Sequence, residues 1–412
     1  MNYIVNGEVF LSRVPEGPIA PYIGAFAASL SDQGYAPYSL YRRVLIAVGF
    51  SQWLDRRGVA LQDIALEHHA QYLRYRARHV KPRSDDPYAL RRLVEYLRSA
   101  GLVRAEKPSA LPPTPAQRWT RAYEQHLSEA CALAKATVVN YVPFVRDFLK
   151  DCFGAGPVRL ASLCAADVVR FVQRRATGLN LKRAKLMTTA LRSFLRYARY
   201  RGALKLDLVA AVPAVANWSM STIPRAIAPD QVRQLLASID RRTAMGRRDY
   251  AILLLLARLG LRAGEVASIR LDDIDWNSGQ LTVRGKAGRR SALPLTTEVG
   301  NAIVAYLQRG RVHSGERHLF LRARAPVRGF VGASGIGSIV RHSLERAAID
   351  APSRGAHQFR HGLATEMLRE GASLGEIGEL LGHRHPQTTK IYAKVDIEAL
   401  RTLALPWPGG VR

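Results

Sequence analysis

Residues 357–395 read HQFRHGLATEMLREGASLGEIGELLGHRHPQTTKIYAKV, a stretch that holds four His, three Arg, two Lys and a single Tyr in two helical runs punctuated by glycine. Ser373 and Glu376 have the Ser-x-x-Glu spacing of a capping box, which predicts a helix through Ile377, Leu380 and Leu381 that Gly382 ends. His383 then falls in a turn at the helix terminus. His357 and Arg360 stand three apart at the start of a helix running to Glu370, so they share a face. Tyr392 follows His383 by nine residues, past the polar RHPQTTK, and its hydroxyl can be presented to a site lined by these groups.

Composition narrows what such a site meets. The 412 residues suffice for two or three domains with real cores, and 48% hydrophobic content argues against overall disorder. Lys and Arg number 61 against 33 Asp and Glu, a formal charge of +28. A polyanion is the natural partner of such a chain, because each neutralised phosphate releases condensed counterions. Nucleic acid is therefore favoured over an anionic membrane surface. The longest apolar run, AILLLLA at 251–257, is far short of the roughly 20 residues that span a bilayer, and reads as a buried helix. With no N-terminal secretion signal visible, the expected location is the cytoplasm or nucleoid. Cys131, Cys152 and Cys164 have neither zinc-knuckle spacing nor an even count, and are expected to be core residues.

Breakers divide the chain. The proline-rich EKPSALPPTPAQ at 106–117 and the loop VPAVANWSMSTIPRAIAP at 212–229 set off three units, near 1–105, 115–215 and 225–412. The first two share a weak repeat. Setting Ser39 on Thr137 brings Phe50 onto Phe148 and Gly58 onto Gly156, and one further residue of offset brings Ile64 onto Leu163 and Tyr72 onto Phe171. Both copies read as helix, turn, short helix; duplication and the general likeness of amphipathic hairpins each account for it. The helix within TGLNLKRAKLMTTALRSFLRYARYRG carries only Arg and Lys as charged residues, a face suited either to solvent or to DNA.

In the third unit Pro229 suits a first helical turn, the apolar helix reaches Leu259, and GLRAGE at 260–265 breaks it. LDDIDWNSGQLTVRGKAGRRSALPL alternates apolar and polar residues between turns at Asn277-Ser278-Gly279 and Gly285–Gly288, which predicts three short antiparallel strands with Lys286 at the second turn. The fold class expected is mainly α with one small antiparallel sheet.

Five pieces of this unit, in order, resemble the catalytic domain of the tyrosine recombinases, the phage integrase family. They are GLRAGE with Arg262, VRGKAGRRSALPL with Lys286, HQFRHGLATEML with His357 and Arg360, GASLGEIGELLGH with His383, and TTKIYAKV with Tyr392. The middle unit resembles that family's helical, SAM-like core-binding domain. Residues 1–105 are extra, either a second core-binding-like module or an arm-type domain. The resemblance implies site-specific DNA strand exchange without metal, nucleotide or other cofactor, in which Tyr392 attacks a backbone phosphate and becomes a 3′-phosphotyrosine. It implies double-stranded DNA with inverted-repeat half-sites as substrate, a homo-tetramer or a hetero-tetramer with related recombinases on that DNA, and service to a mobile genetic element.

Residue chemistry agrees. Guanidinium forks at Arg262 and Arg360 suit the nonbridging oxygens of a pentacoordinate phosphate. His357 and His383 can hydrogen-bond or move protons near neutral pH. Lys286, in a unit where nearly every base is Arg, can protonate the leaving oxygen, which Arg does poorly. His361 and His385 are expected to be structural or surface residues. Zinc at the His pairs is disfavoured, because HQFRH lacks the acid of the metalloprotease signature and interleaved Arg repels a cation. Other readings of the same residues are a type IB topoisomerase, an inactive DNA-binding regulator, and a metal-dependent transposase or nuclease. In the tail, Ile397, Leu400, Leu403 and Ala404 form an apolar stripe expected to dock on a neighbouring protomer, or in cis.

Overall fold

Apolar residues at helical spacing dominate the chain, and the computed structural model is accordingly mostly helical. It describes residues 3–5, 9–11, 13–103, 113–215, 224–285, 290–383 and 385–395. Lys286 with the rest of its turn, Arg384, and the tail stripe from Ile397 to Ala404 lie outside the described residues. The chain forms two compact units, Met1–Ala105 together with Met220–Arg412, and Glu106–Ser219.

The first unit opens with an antiparallel pair, β1 (Tyr3–Val5) and β2 (Val9–Leu11), that the sequence reading had not anticipated. Four helices follow: α1 (Ile23–Asp32), α2 (Pro37–Asp55), α3 (Leu66–Ala77) and α4 (Asp86–Ser99). Their facing stripes bury Phe26, Phe50, Leu54, Leu90 and Leu97 in a core of their own. Pro37 starts α2 at a position where the missing N–H costs nothing.

Glu106–Ser219 repeats this order with α5 (Pro115–Glu129), α6 (Lys135–Phe153), α7 (Ala165–Ala176) and α8 (Leu181–Tyr200). Thr114 and Gln117 cap α5 reciprocally, at 3.2 and 2.9 Å, and Asn180 accepts from the Arg183 N–H at 3.0 Å to start α8. The aligned halves match closely. α2 and α6 each have 19 residues, α3 and α7 each have 12, and a 3-10 turn joins them in both. Phe50 meets Tyr72 at 5.1 Å between ring centroids, and Phe148 meets Phe171 at 5.2 Å.

The C-terminal part runs through α9 (Pro229–Ala237), α10 (Ala244–Arg258) and α11 (Ala263–Ser268). The run Ala251–Leu256 is wholly buried, as a helix apolar on all sides must be. Strands β3 (Ile274–Asp275), β4 (Gln280–Arg284) and β5 (Arg290–Pro294) pair in the antiparallel order β3-β4-β5, with Leu281 opposite Leu293. Leu281 and Val283 face the core while their neighbours do not, the period-two pattern of a half-buried strand. Then come α12 (Thr297–Arg309), α13 (Ala333–Arg346), α14 (His357–Arg369), α15 (Leu374–Leu380) and α16 (Pro386–Thr389).

Residues 1–105 belong to the same compact unit as this C-terminal part. The Val327 N–H donates to the Gln33 carbonyl at 2.9 Å, and Ala325 packs on the α1–α4 core. Two of the cysteines depart from the core placement expected, while Cys152 packs against the α5–α8 core. Cys131 and Cys164 are exposed and Cys152 is half-buried. Cys131 ends a helical turn beside His126, and Cys164 occupies the N-cap of α7, so turn geometry rather than burial fixes both.

Phe148 is fully buried against Phe171 and Phe194. Phe148→Ala is expected to lower stability by about 3–5 kcal/mol, read as a reduced denaturation midpoint in urea of the transition that reports on Glu106–Ser219.

Candidate active site

Gly260 begins the site. It adopts φ +58, and a Cβ there would lie 2.8 Å from Leu381 Cδ2 and 3.0 Å from Leu363 Cδ2, so both conformation and space require glycine. The turn delivers Arg262 to the N-cap of α11, where Glu265 fixes it twice. One carboxylate oxygen accepts from the Arg262 backbone N–H at 2.8 Å and the other from its guanidinium at 2.7 Å. Glu265 is buried and Arg262 half-buried, so the fork is held from beneath and faces outward. Glu265 was not singled out in the sequence, although its spacing of three from Arg262 is that of a capping residue.

Arg360, on the first turn of α14, is only 3% exposed. Its guanidinium donates to the Gly260 carbonyl at 2.8 Å and to the Leu381 carbonyl. Burial first, and then the charge of Arg262, bring its pKa down to about 10, so it remains a cation at neutral pH. The capping box of Ser373 and Glu376 forms as its spacing requires, and Gly382 ends α15 at φ +58. His383 follows in the turn. Its backbone N–H donates to the Gly378 carbonyl at 2.9 Å, and its Nδ1 lies 2.8 Å from Thr389 Oγ1.

Tyr392 sits in the 3-10 segment Lys390–Val395, 1% exposed, in a small cluster with Ala364, Ile377 and Leu381. Its hydroxyl lies 3.0 Å from Nδ1 of His361. His361 was expected to be a structural or surface residue; it instead contacts the tyrosine directly, because α14 places it one turn beyond His357 on the same face. The His357 and His361 rings meet at 4.7 Å, and the His383 ring lies parallel to that of Tyr392 at 6.4 Å. Five of the six residues expected in the site, Arg262, His357, Arg360, His383 and Tyr392, thus converge; Lys286 lies outside the described residues.

The two guanidiniums set the electrostatics. Burial raises the Tyr392 pKa, and Arg360 and Arg262 oppose that rise by favouring the phenolate. The pKa of His361 falls to about 4 through burial, His357 and Arg360. That of His383 falls to about 4 through burial, then Arg360 and Arg262. Both imidazoles are therefore neutral at pH 7. A phenol, two fixed guanidiniums and neutral imidazoles make a site suited to covalent chemistry on an anion.

Comparison with known proteins gives this class a family. Residues 225–398 match the phage integrase family, and residues 121–202 match the phage integrase N-terminal SAM-like domain. The chain is 57% identical over 409 residues to a protein named as an integrase/recombinase, y4rA of Sinorhizobium fredii, with 99% of each chain covered. It is 33% identical over 242 residues to tyrosine recombinase XerC of Anoxybacillus flavithermus, covering 57% of this chain and 77% of the relative. In fold it is similar to XerH site-specific recombinase bound to palindromic difH substrate, with a TM-score of 0.56 at 17% identity over 82% of this chain and 94% of that one. The chain belongs to the phage integrase family of tyrosine recombinases.

A pH dependence follows from the two histidines. Their folded pKa of about 4 lies below the ordinary 6.5, so the native state binds these protons less readily than the unfolded chain. Their contribution to stability is fully present above pH 6.5 and is lost as pH falls towards 4. Imidazole NMR titration is expected to show two rings that stay neutral down to about that pH, and those signals should be missing from His361→Asn and His383→Asn respectively.

Proposed function

We propose that this chain cuts and rejoins DNA at a defined site through a 3′-phosphotyrosine at Tyr392. The observation that carries the reading is the burial of Arg360 beside Arg262 within the field of the Tyr392 hydroxyl. Cations held against the cost of desolvation stabilise charge that develops on a phosphate in the transition state. Arg262 and Arg360 hold the nonbridging oxygens. His357 and His383 hydrogen-bond the same phosphate. The phenolic oxygen bonds to phosphorus, the bond from phosphorus to the 5′ oxygen breaks, and Lys286 gives that oxygen its proton. Bond energy is kept in the phosphotyrosine, so the reverse attack by a 5′-hydroxyl rejoins the strand without nucleotide.

Three domains serve this chemistry: a catalytic domain at 225–412 with its tail, a core-binding domain at 115–215, and a second core-binding-like module at 1–105. The matching helix lengths and aromatic pairs of α1–α4 and α5–α8 support the last assignment. The substrate is double-stranded DNA with inverted-repeat half-sites, bound by a tetramer of this chain alone or with related recombinases. A net charge of +28 suits that partner and a cytoplasmic, nucleoid-associated location. The service performed is recombination of a mobile genetic element.

Tyr392→Phe is expected to bind a nicked half-site duplex as the wild type does and to form no covalent adduct on a denaturing gel. Adduct at wild-type yield would remove Tyr392 from the mechanism. Lys286→Ala and Lys286→Arg are both expected to slow cleavage by roughly 10²- to 10⁴-fold, the range of general acid catalysis. Sulfur in place of the bridging 5′ oxygen should restore the Ala variant, because a thiolate leaves without a proton; an equal defect on that substrate would assign the acid elsewhere.

A further inference from the structure

The Tyr392 hydroxyl lies 3.0 Å from a histidine that the reaction as proposed above does not use. His361 reaches it through Nδ1, so a neutral ring protonated at Nε2 accepts the phenolic hydrogen there. Of the other imidazoles, His383 directs its Nδ1 to Thr389 Oγ1, and His357 meets the His361 ring edge to face. Tyr392 is 1% exposed, so bulk water is a poor competitor for its proton.

We propose that His361 is the general base for Tyr392, an inference that rests on Tyr392 being the nucleophile. As the phenolic oxygen attacks phosphorus, its proton passes to Nδ1 of His361. The oxygen–phosphorus bond forms, the bond to the 5′ oxygen breaks, and the electron pair leaves on that oxygen, which takes a proton from Lys286. In the reverse step His361 returns its proton to the departing phenolate.

The groups around His361 explain how a weak base becomes competent. Among the described residues, those that contact it or act on it are His357 and Arg360 on α14, His383 after α15, and Tyr392 itself. In the free protein, burial and the neighbouring positive charge keep His361 neutral, which leaves Nδ1 able to accept. A phosphodiester placed between Arg262 and Arg360 offsets that field, and an anion near an imidazole raises its basicity. Proton uptake is thereby favoured when substrate is present.

The test uses the full chain and a nicked half-site duplex, with His361→Asn and His361→Phe compared to wild type between pH 6 and 9. Asn keeps an acceptor near the position of Nδ1 but cannot take a proton, and Phe keeps the ring volume. Both are expected to bind DNA normally and to form adduct about 10²- to 10⁴-fold more slowly at pH 7. The deficit should narrow as pH rises, because hydroxide then ionises the phenol. The bridging-sulfur substrate should not restore either variant, although it restores Lys286→Ala. Wild-type rates in His361→Asn, a deficit equal at every pH, or rescue by sulfur would each overturn the assignment. Adduct formation by Tyr392→Phe would instead overturn the nucleophile; its absence together with a fully active His361→Asn would overturn only the base.

Discussion

A guanidinium buried, among the described residues, without a carboxylate of its own is the constraint around which the C-terminal part is arranged. Arg360 is desolvated, and its hydrogen-bond partners are two backbone carbonyls, Gly260 before α11 and Leu381 at the end of α15. Hydrogen bonds to a charged group contribute about 1.5–3 kcal/mol each, while burying the charge costs several kcal/mol. Carbonyl dipoles offset part of that cost and do not cancel the charge. Glu265, the nearest acid to figure in its surroundings, is bound to Arg262. Among the described residues the site is therefore under-neutralised, and an anion placed there would relieve it.

The charge of Arg360 acts on three titratable neighbours. Arg360 lowers the pKa of both His361 and His383, and it opposes the rise that burial imposes on Tyr392. Burial keeps the two imidazoles neutral and this cation adds to it, while the same cation makes the phenol easier to ionise. It also links the pieces mechanically. Through Gly260 and Leu381 it ties the arm bearing Arg262 to the helix preceding His383, so the relative positions of three site residues depend on two bonds from one side chain. A lysine could not replace it, because a single ammonium lacks the planar fork that reaches both carbonyls.

Much of the site was legible because its determinants are local. The Ser373 and Glu376 capping box, Gly382 as a helix stop and the alternation in QLTVR are set by residues a few positions apart, and the structure has each of them. What escaped depends on packing between distant segments. His361 and Tyr392 are 31 residues apart, and nothing in HQFRH tells which of its two histidines meets a side chain that far along the chain. Glu265 has the local spacing of a capping residue, but spacing alone does not show that its carboxylate also grips the Arg262 guanidinium. The β1–β2 pair was also missed, despite the Asn6-Gly7 dipeptide that marks tight hairpins. Residue type alone suggests burial for Cys131 and Cys164 as it does for Cys152, whereas Cys131 lies at a helix end and Cys164 is held by an N-cap position.

The two four-helix sets match in the lengths of their second and third helices and in their aromatic pairs, and differ in how their arginines are paired. In α1–α4, Arg42 and Arg76 turn to Asp86, which is only 4% exposed, and Arg92 donates to the Gln33 side chain. Gln33 in turn accepts from Val327 through its carbonyl, so these arginines are committed to holding the module together beside its contact with the C-terminal part. In α5–α8 the comparable pairs, Arg174 with Asp151 and Arg175 with Asp147, lie at the surface. Exposed pairs contribute about 0–1 kcal/mol, so a phosphate could displace their carboxylates at little cost. α8 adds exposed Lys182, Arg183, Arg196 and Arg199, where α4 is six residues shorter, 14 against 20. Similar helices with similar aromatic cores therefore differ in where their ion pairs lie, buried around Asp86 in one and at the surface in the other.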